Sequence, residues 1–170
     1  MKNIRQNPNL LPGFTLLEVL IALLILSMGL LGLAALQGNA LKFNQSGYQR
    51  SQATLLAYDM LDRMRVNRTT AMTTTSYQIG SLTNSPPAAS NCASVTCNGT
   101  QLATYDKAQW ITSIFTQLPN GQGAVTYQDA GSTRIYTIEI RWTDVEWDDT
   151  QNAKEGLVRS DNSVFLRSEI

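Results

Sequence analysis

A chain of 170 residues has room for one ordinary domain and one additional element, and its 13 basic and 13 acidic residues cancel. Charged residues make up 15% of it, below the roughly 25% of soluble domains, and a neutral chain leaves no electrostatic footprint for nucleic acid. Histidine is absent, which removes the commonest metal ligand and the commonest general base together. No glycine-rich phosphate cradle, G-x-S-x-G elbow or metal-binding triad takes its place. The reading is therefore of a protein that is not an enzyme and needs neither cofactor nor metal.

Both charges in the first thirteen residues, Lys2 and Arg5, are positive. Without them the chain holds 13 acidic residues against two fewer than its 13 basic ones. An apolar segment follows, with Glu18 the sole charge between Phe14 and Leu41. Residues 14–36 as helix span about 34 Å, enough to cross a hydrocarbon core of about 30 Å. A lone carboxylate at that depth is expensive and needs a partner. The slight excess of positive charge before the span favours a cytoplasmic N-terminus, with everything after Leu41 outside.

Three explanations compete for this segment. A secretory signal needs a basic region, an apolar core and a small-residue cleavage site, and Gly38-Asn39-Ala40 could supply the last. However, the apolar run exceeds the usual core of about 7–15 residues, and a signal gains nothing from Glu18. A plain, unprocessed anchor leaves Glu18 equally unexplained. As a helix N-cap or first-turn dipole partner, Glu18 would contribute only about 0.3–1 kcal/mol.

The third explanation comes from resemblance. The stretch Gly13-Phe14-Thr15-Leu16-Leu17-Glu18-Val19-Leu20-Ile21-Ala22 resembles the processing motif of type IV pilins and type II secretion pseudopilins. The resemblance implies that a prepilin peptidase cuts between Gly13 and Phe14 and N-methylates Phe14. It also implies that Glu18 is the glutamate that sets assembly register. Cleavage would create an ammonium at Phe14, and in a filament the amine of one subunit could meet Glu18 of another. At low dielectric such a pair is worth several kcal/mol relative to either charge alone, much of it offsetting desolvation. The sequence departs from many major pilins at Ala35, where they carry a proline. Any unwinding of this helix would then use Gly29, Gly32 and Gly38, each costing helix about 1 kcal/mol relative to alanine.

From Ser51 to Arg68, Ala53, Leu56, Ala57, Met60, Leu61 and Met64 recur at spacings of three and four, predicting an amphipathic helix whose stripe is core. Asp59 with Arg63 and Asp62 with Arg65 are spaced for ion pairs along its surface. The simplest reading is one long helix from Phe14 to about Asn67. Residues 69–101 are rich in Thr, Ser, Asn, Gly and Pro and read as an irregular connection, with a short strand near Tyr77–Leu82. In an exported chain, Cys92 and Cys97 would close a tight loop by a disulfide. The tripeptides beginning at Asn44, Asn67 and Asn98 match a glycosylation acceptor, but they arise readily by chance in so polar a chain.

Thr104–Leu118 predicts a second helix with Ala108, Ile111, Ile114, Phe115 and Leu118 on one face, ended by Pro119. Asn120-Gly121-Gln122-Gly123 signals a turn. Strands are expected at Ala124–Gln128, Arg134–Thr143 and Ser163–Ser168; in the second, Tyr136, Ile138, Ile140 and Trp142 alternate with Ile135, Thr137, Glu139 and Arg141. The acidic residues Asp144, Glu146, Asp148 and Asp149 lack the spacing of a calcium loop and read as a solvated strand end or hairpin. Strands after a long helix predict an α+β head in which an antiparallel sheet packs on that helix.

At lower specificity, Asp59-Met60-Leu61-Asp62-Arg63-Met64-Arg65-Val66-Asn67-Arg68, with the Trp110 helix ending at Leu118-Pro119-Asn120-Gly121, is similar to PilV-type minor pilins. The resemblance implies the type IV pilin fold and four parts: a cleaved leader at 1–13, a membrane or filament-core helix at 14–41, its amphipathic continuation at 42–68, and a head with a disulfide loop at 69–170. It implies a minor pilin that primes or modifies pilus assembly near the tip. Its partners would be the prepilin peptidase, other minor and major pilins and the inner-membrane assembly machinery, with a tip adhesin also allowed. A minor pseudopilin of a type II secretion system, or a binding module at the tip, are the alternative functions.

Overall fold

The computed structural model describes residues 13–146 and 158–170. The leader residues before Gly13, and Asp148 and Asp149 of the acidic run, lie outside the described residues. The chain divides into two compact units, one ending at Asn44 and one comprising Gln45–Ile170. Helix α1, Leu16–Val66, runs through both. It holds helical backbone at Gly29, Gly32, Gly38 and Gly47 despite their poor propensity.

Within the first unit every described residue from Gly13 to Asn44 is exposed. Helix α1 is long and apolar enough to cross a membrane, and none of its most apolar window is buried in the protein. In water such a surface would be an aggregation liability.

In the second unit the same helix becomes one-sided. Gln49, Ala53, Leu56, Ala57, Met60, Leu61 and Met64 are buried, which is the stripe that the spacing predicts. Fully burying a Leu or Met side chain stabilises by about 1.5–3 kcal/mol. The ion pairs also form, Arg63 to Asp59 at 2.9 Å and Arg65 to Asp62 at 3.0 Å.

A short helix α2, Arg68–Thr73, follows directly, inside the stretch expected to be irregular. Strand β1 is Ile79–Thr83, close to its expected place. Helix α3 is Gly99–Gln117, five residues earlier at its start than the apolar pattern predicts. The cause is a capping box: the Asn98 side chain accepts from the Gln101 backbone, and the Gln101 side chain accepts from the Asn98 backbone. Its buried face is Ala103, Asp106, Trp110, Ile111 and Ile114. Phe115, expected on that face, is exposed. The buried stripe runs through Ala103, Asp106, Trp110 and Ile114 instead.

Strands β2 (Gln122–Ala130), β3 (Thr133–Glu146) and β4 (Val158–Glu169) complete an antiparallel sheet of order β1-β2-β3-β4. All three run longer than the sequence pattern marks. The β2–β3 hairpin turns at Gly131, whose φ of +67° favours a residue without a side chain. Tyr136, Ile138, Ile140 and Trp142 point inward with Val125 and join the helical core. Long helix and four-stranded antiparallel sheet together make an α+β fold of the pilin type.

Candidate functional site at the start of the long helix

Helix α1 opens on Thr15. The Glu18 backbone N–H donates to Thr15 Oγ1 at 3.2 Å and lies 3.1 Å from the Thr15 carbonyl, while the Val19 N–H reaches that carbonyl at 3.3 Å. Thr15 therefore caps the helix, and Thr15-Leu16-Leu17-Glu18 has the spacing of a capping box, of which the threonine half is formed. The cap fixes Glu18 in the first turn, where a carboxylate favours the positive end of the helix dipole. Among the described residues no ion pair to Glu18 forms. Phe14, directly before the cap, is 83% exposed. Among the described residues, a Cβ at Gly13 would meet nothing within 4 Å. Gly13, Phe14 and Glu18 thus stand together at an exposed helix start, ahead of an exposed apolar helix.

The head carries a second polar arrangement that the sequence pattern did not single out. Asp106, buried on α3, accepts from Tyr77 Oη at 2.7 Å and from Arg63 at 3.2 Å. Asn67 donates to Tyr77 Oη at 3.2 Å and to the Gly99 carbonyl at 2.7 Å. Burial, reinforced by the Asp106 hydrogen bond, pushes the Tyr77 hydroxyl well above its ordinary value. An acid on an otherwise apolar helical stripe was the available signal, because a buried carboxylate requires donors.

Arg134, also buried, donates to Asp129 at 2.7 Å, to the Ala71 carbonyl at 2.9 Å and to the Thr74 carbonyl. Its guanidinium lies 4.0 Å from the Tyr127 ring centre, and Tyr136 Oη donates to the same Ala71 carbonyl at 2.8 Å. This cluster fastens α2 to the sheet. Trp110 Nε1 donates to the Leu56 carbonyl at 2.8 Å, tying α3 to α1. Each of these contacts satisfies buried groups and holds elements together, which is structural work.

Cys92 and Cys97 form a disulfide, as expected for an exported chain. Among the described residues no group of three or more Cys, Asp or Glu is placed to hold a metal. Asp144 and Glu146 end β3.

Comparison with known proteins bears directly on the helix start. Residues 12–34 match the prokaryotic N-terminal methylation motif, and residues 35–108 match the family model described as type IV pilin Tt1218. No curated protein matches the chain, and no solved structure does. With its long apolar helix and antiparallel head, the chain is a type IV pilin-like protein. Its role is accordingly of the pilin type, a structural family. The methylation motif implies processing by a prepilin peptidase and pilin partners in general, and it fits an inner-membrane anchored pilin that becomes part of a pilus.

Proposed function

We propose that this chain is a minor pilin that primes or modifies assembly of a type IV pilus and sits near its tip. The observation that carries the reading is the methylation motif over residues 12–34, set on a capped helix start whose following apolar surface is wholly exposed. The prepilin peptidase cuts between Gly13 and Phe14 and methylates the new amine. Among the described residues nothing packs against Gly13, so the glycine answers to recognition by the peptidase.

Before assembly the N-terminus is cytoplasmic and the head periplasmic, consistent with Lys2 and Arg5 preceding the span. On assembly, the Phe14 ammonium of a neighbouring subunit pairs with Glu18. That pairing selects one axial register, because a shift leaves both charges unpaired in an apolar medium. The Asp59–Arg68 segment favours a minor pilin of the PilV type over a secretion pseudopilin. Other minor and major pilins and the inner-membrane assembly machinery are its partners, with a tip adhesin as a further one.

Deleting the gene tests the assignment. Loss of surface pili and of twitching is expected. Intact piliation with exoproteins retained in the periplasm would assign the chain to a type II secretion pseudopilus instead.

A further inference from the structure

Strand β4 is the edge of the sheet, with β3 on one side and no described strand on the other. Edges are normally blunted by short length, bulges, proline or charged side chains. The opposite edge, β1, is five residues long with a shifted register. β4 has 12 residues, pairs with β3 without a bulge and contains no proline; charge is the one such device it carries, and it carries both signs, in Asp161, Arg167 and Glu169.

The bonding pattern fixes what this edge offers. The Ile170 N–H donates to the Arg134 carbonyl at 3.1 Å. Bonding alternates along an antiparallel ladder, so even-numbered residues of β4 turn their backbone groups toward β3 and odd-numbered residues turn theirs outward. The odd-numbered Asp161, Phe165, Arg167 and Glu169 are also exposed, on the face away from the core that Val164 and Leu166 adjoin.

We infer that β4 is a self-complementary edge that pairs antiparallel with β4 of a second copy, centred on Val164. In that register Asp161 stands opposite Arg167 of the second copy, a pairing that occurs twice by symmetry. Moving the centre by one residue loses both pairs. A centre at 163 sets Asp161 opposite Phe165, and a centre at 165 sets Asp161 opposite Glu169. Like charges directly opposite are destabilising, so the charge pattern selects the Val164 register. That register also places Phe165, 62% exposed in the single copy, diagonal to its own counterpart, within reach of an aromatic contact. On the core side, Val164 meets Val164.

The two-fold axis of such a pair stands normal to the sheet. The α1 segments packed on the two sheets therefore run in opposite directions on one face of an eight-stranded sheet. On the pilus reading, and resting on it, this contact joins heads of filaments that run antiparallel and not neighbours in one filament. The pairing itself rests only on β4.

The test uses the full chain in detergent micelles, with sedimentation equilibrium comparing wild type, Asp161→Arg, Arg167→Asp and the double variant. Each single reversal creates two like-charge pairs and should weaken the dimer roughly tenfold or more, and the double variant should restore it. Self-association of the apolar helix responds to none of these changes. A Val164→Cys chain supplies an independent readout: its thiol faces its counterpart in a pair whose Cα atoms lie about 4.5 Å apart, while both native cysteines are engaged. An intermolecular disulfide should form on mild oxidation. Equal association of wild type and all three charge variants, or a Val164→Cys chain that stays monomeric when oxidised, would overturn the inference, whatever N-terminal processing proves to be.

Discussion

Single positions decide how tightly the head closes. A Cβ added at Gly123 would lie 2.6 Å from the Trp110 ring and 2.7 Å from Ile114 Cδ1. Both side chains are fully buried, so neither can move aside cheaply. Gly123→Ala should therefore destabilise the head by about 1–3 kcal/mol, read as a lowered denaturant midpoint at unchanged slope. Tyr77 makes a different prediction. Burial and the Asp106 hydrogen bond hold its hydroxyl neutral in the fold, while the unfolded chain ionises it near pH 10. Because the folded value is the higher, stability is full below about pH 10 and falls as pH rises beyond it. Denaturant titrations from neutral pH into that range should show the decline, with a shallower decline for Tyr77→Phe. Neither residue was legible as special. A glycine in a turn signal does not announce which indole will press on it, and the signal for the partner of Tyr77, an acid on an apolar helical stripe, can be used only once that stripe is known to face inward.

At the scale of elements, local signals and long-range packing contributed unequally. The stripe of α1 and the alternation of β3 were legible because burial on one side imposes a period on the sequence. The start of α3 was not, because its first turn is specified by the Asn98–Gln101 capping box and carries no apolar residue to extend the pattern. Helix α2 was hidden for another reason. Arg68-Thr69-Thr70-Ala71-Met72-Thr73 has weak helix propensity, and the segment is held by Arg134 and Tyr136, more than sixty residues away in sequence, at the Ala71 carbonyl. The disulfide loop is an element of its own, enclosing few residues and lying outside the buried core. Closing so short a loop removes little denatured-state entropy. Replacing Cys92 and Cys97 by serine should therefore cost about 2 kcal/mol or less, a drop that calorimetry would resolve while the far-ultraviolet spectrum stays unchanged.

At the scale of the whole molecule, the two units answer to different surroundings. The head closes a core of its own, whereas the helix before Asn44 exposes apolar side chains throughout and is complete only in lipid or among other helices. Glu18 belongs to that larger context. The Thr15 cap explains its place in the first turn but gives it no counter-charge. Most of this candidate site was legible, because glycine, aromatic, threonine and glutamate before an apolar run form a local pattern. What a single chain cannot display is the partner charge, which on the proposed reading arrives with another subunit. Glu18→Gln should leave processing intact and reduce incorporation into pili, measured as the ratio of pilus to membrane protein. Unchanged incorporation would remove the register argument.

The central claim, that the chain is processed as a prepilin, is tested most directly by mass analysis of the N-terminus of the protein isolated from its own cells. The account predicts a chain that begins at Phe14 with one methyl group on its amine, and an unprocessed chain, heavier by the thirteen-residue leader, in Gly13→Val. A wild-type chain that retains Met1–Gly13, or one cut after Ala40, would contradict it.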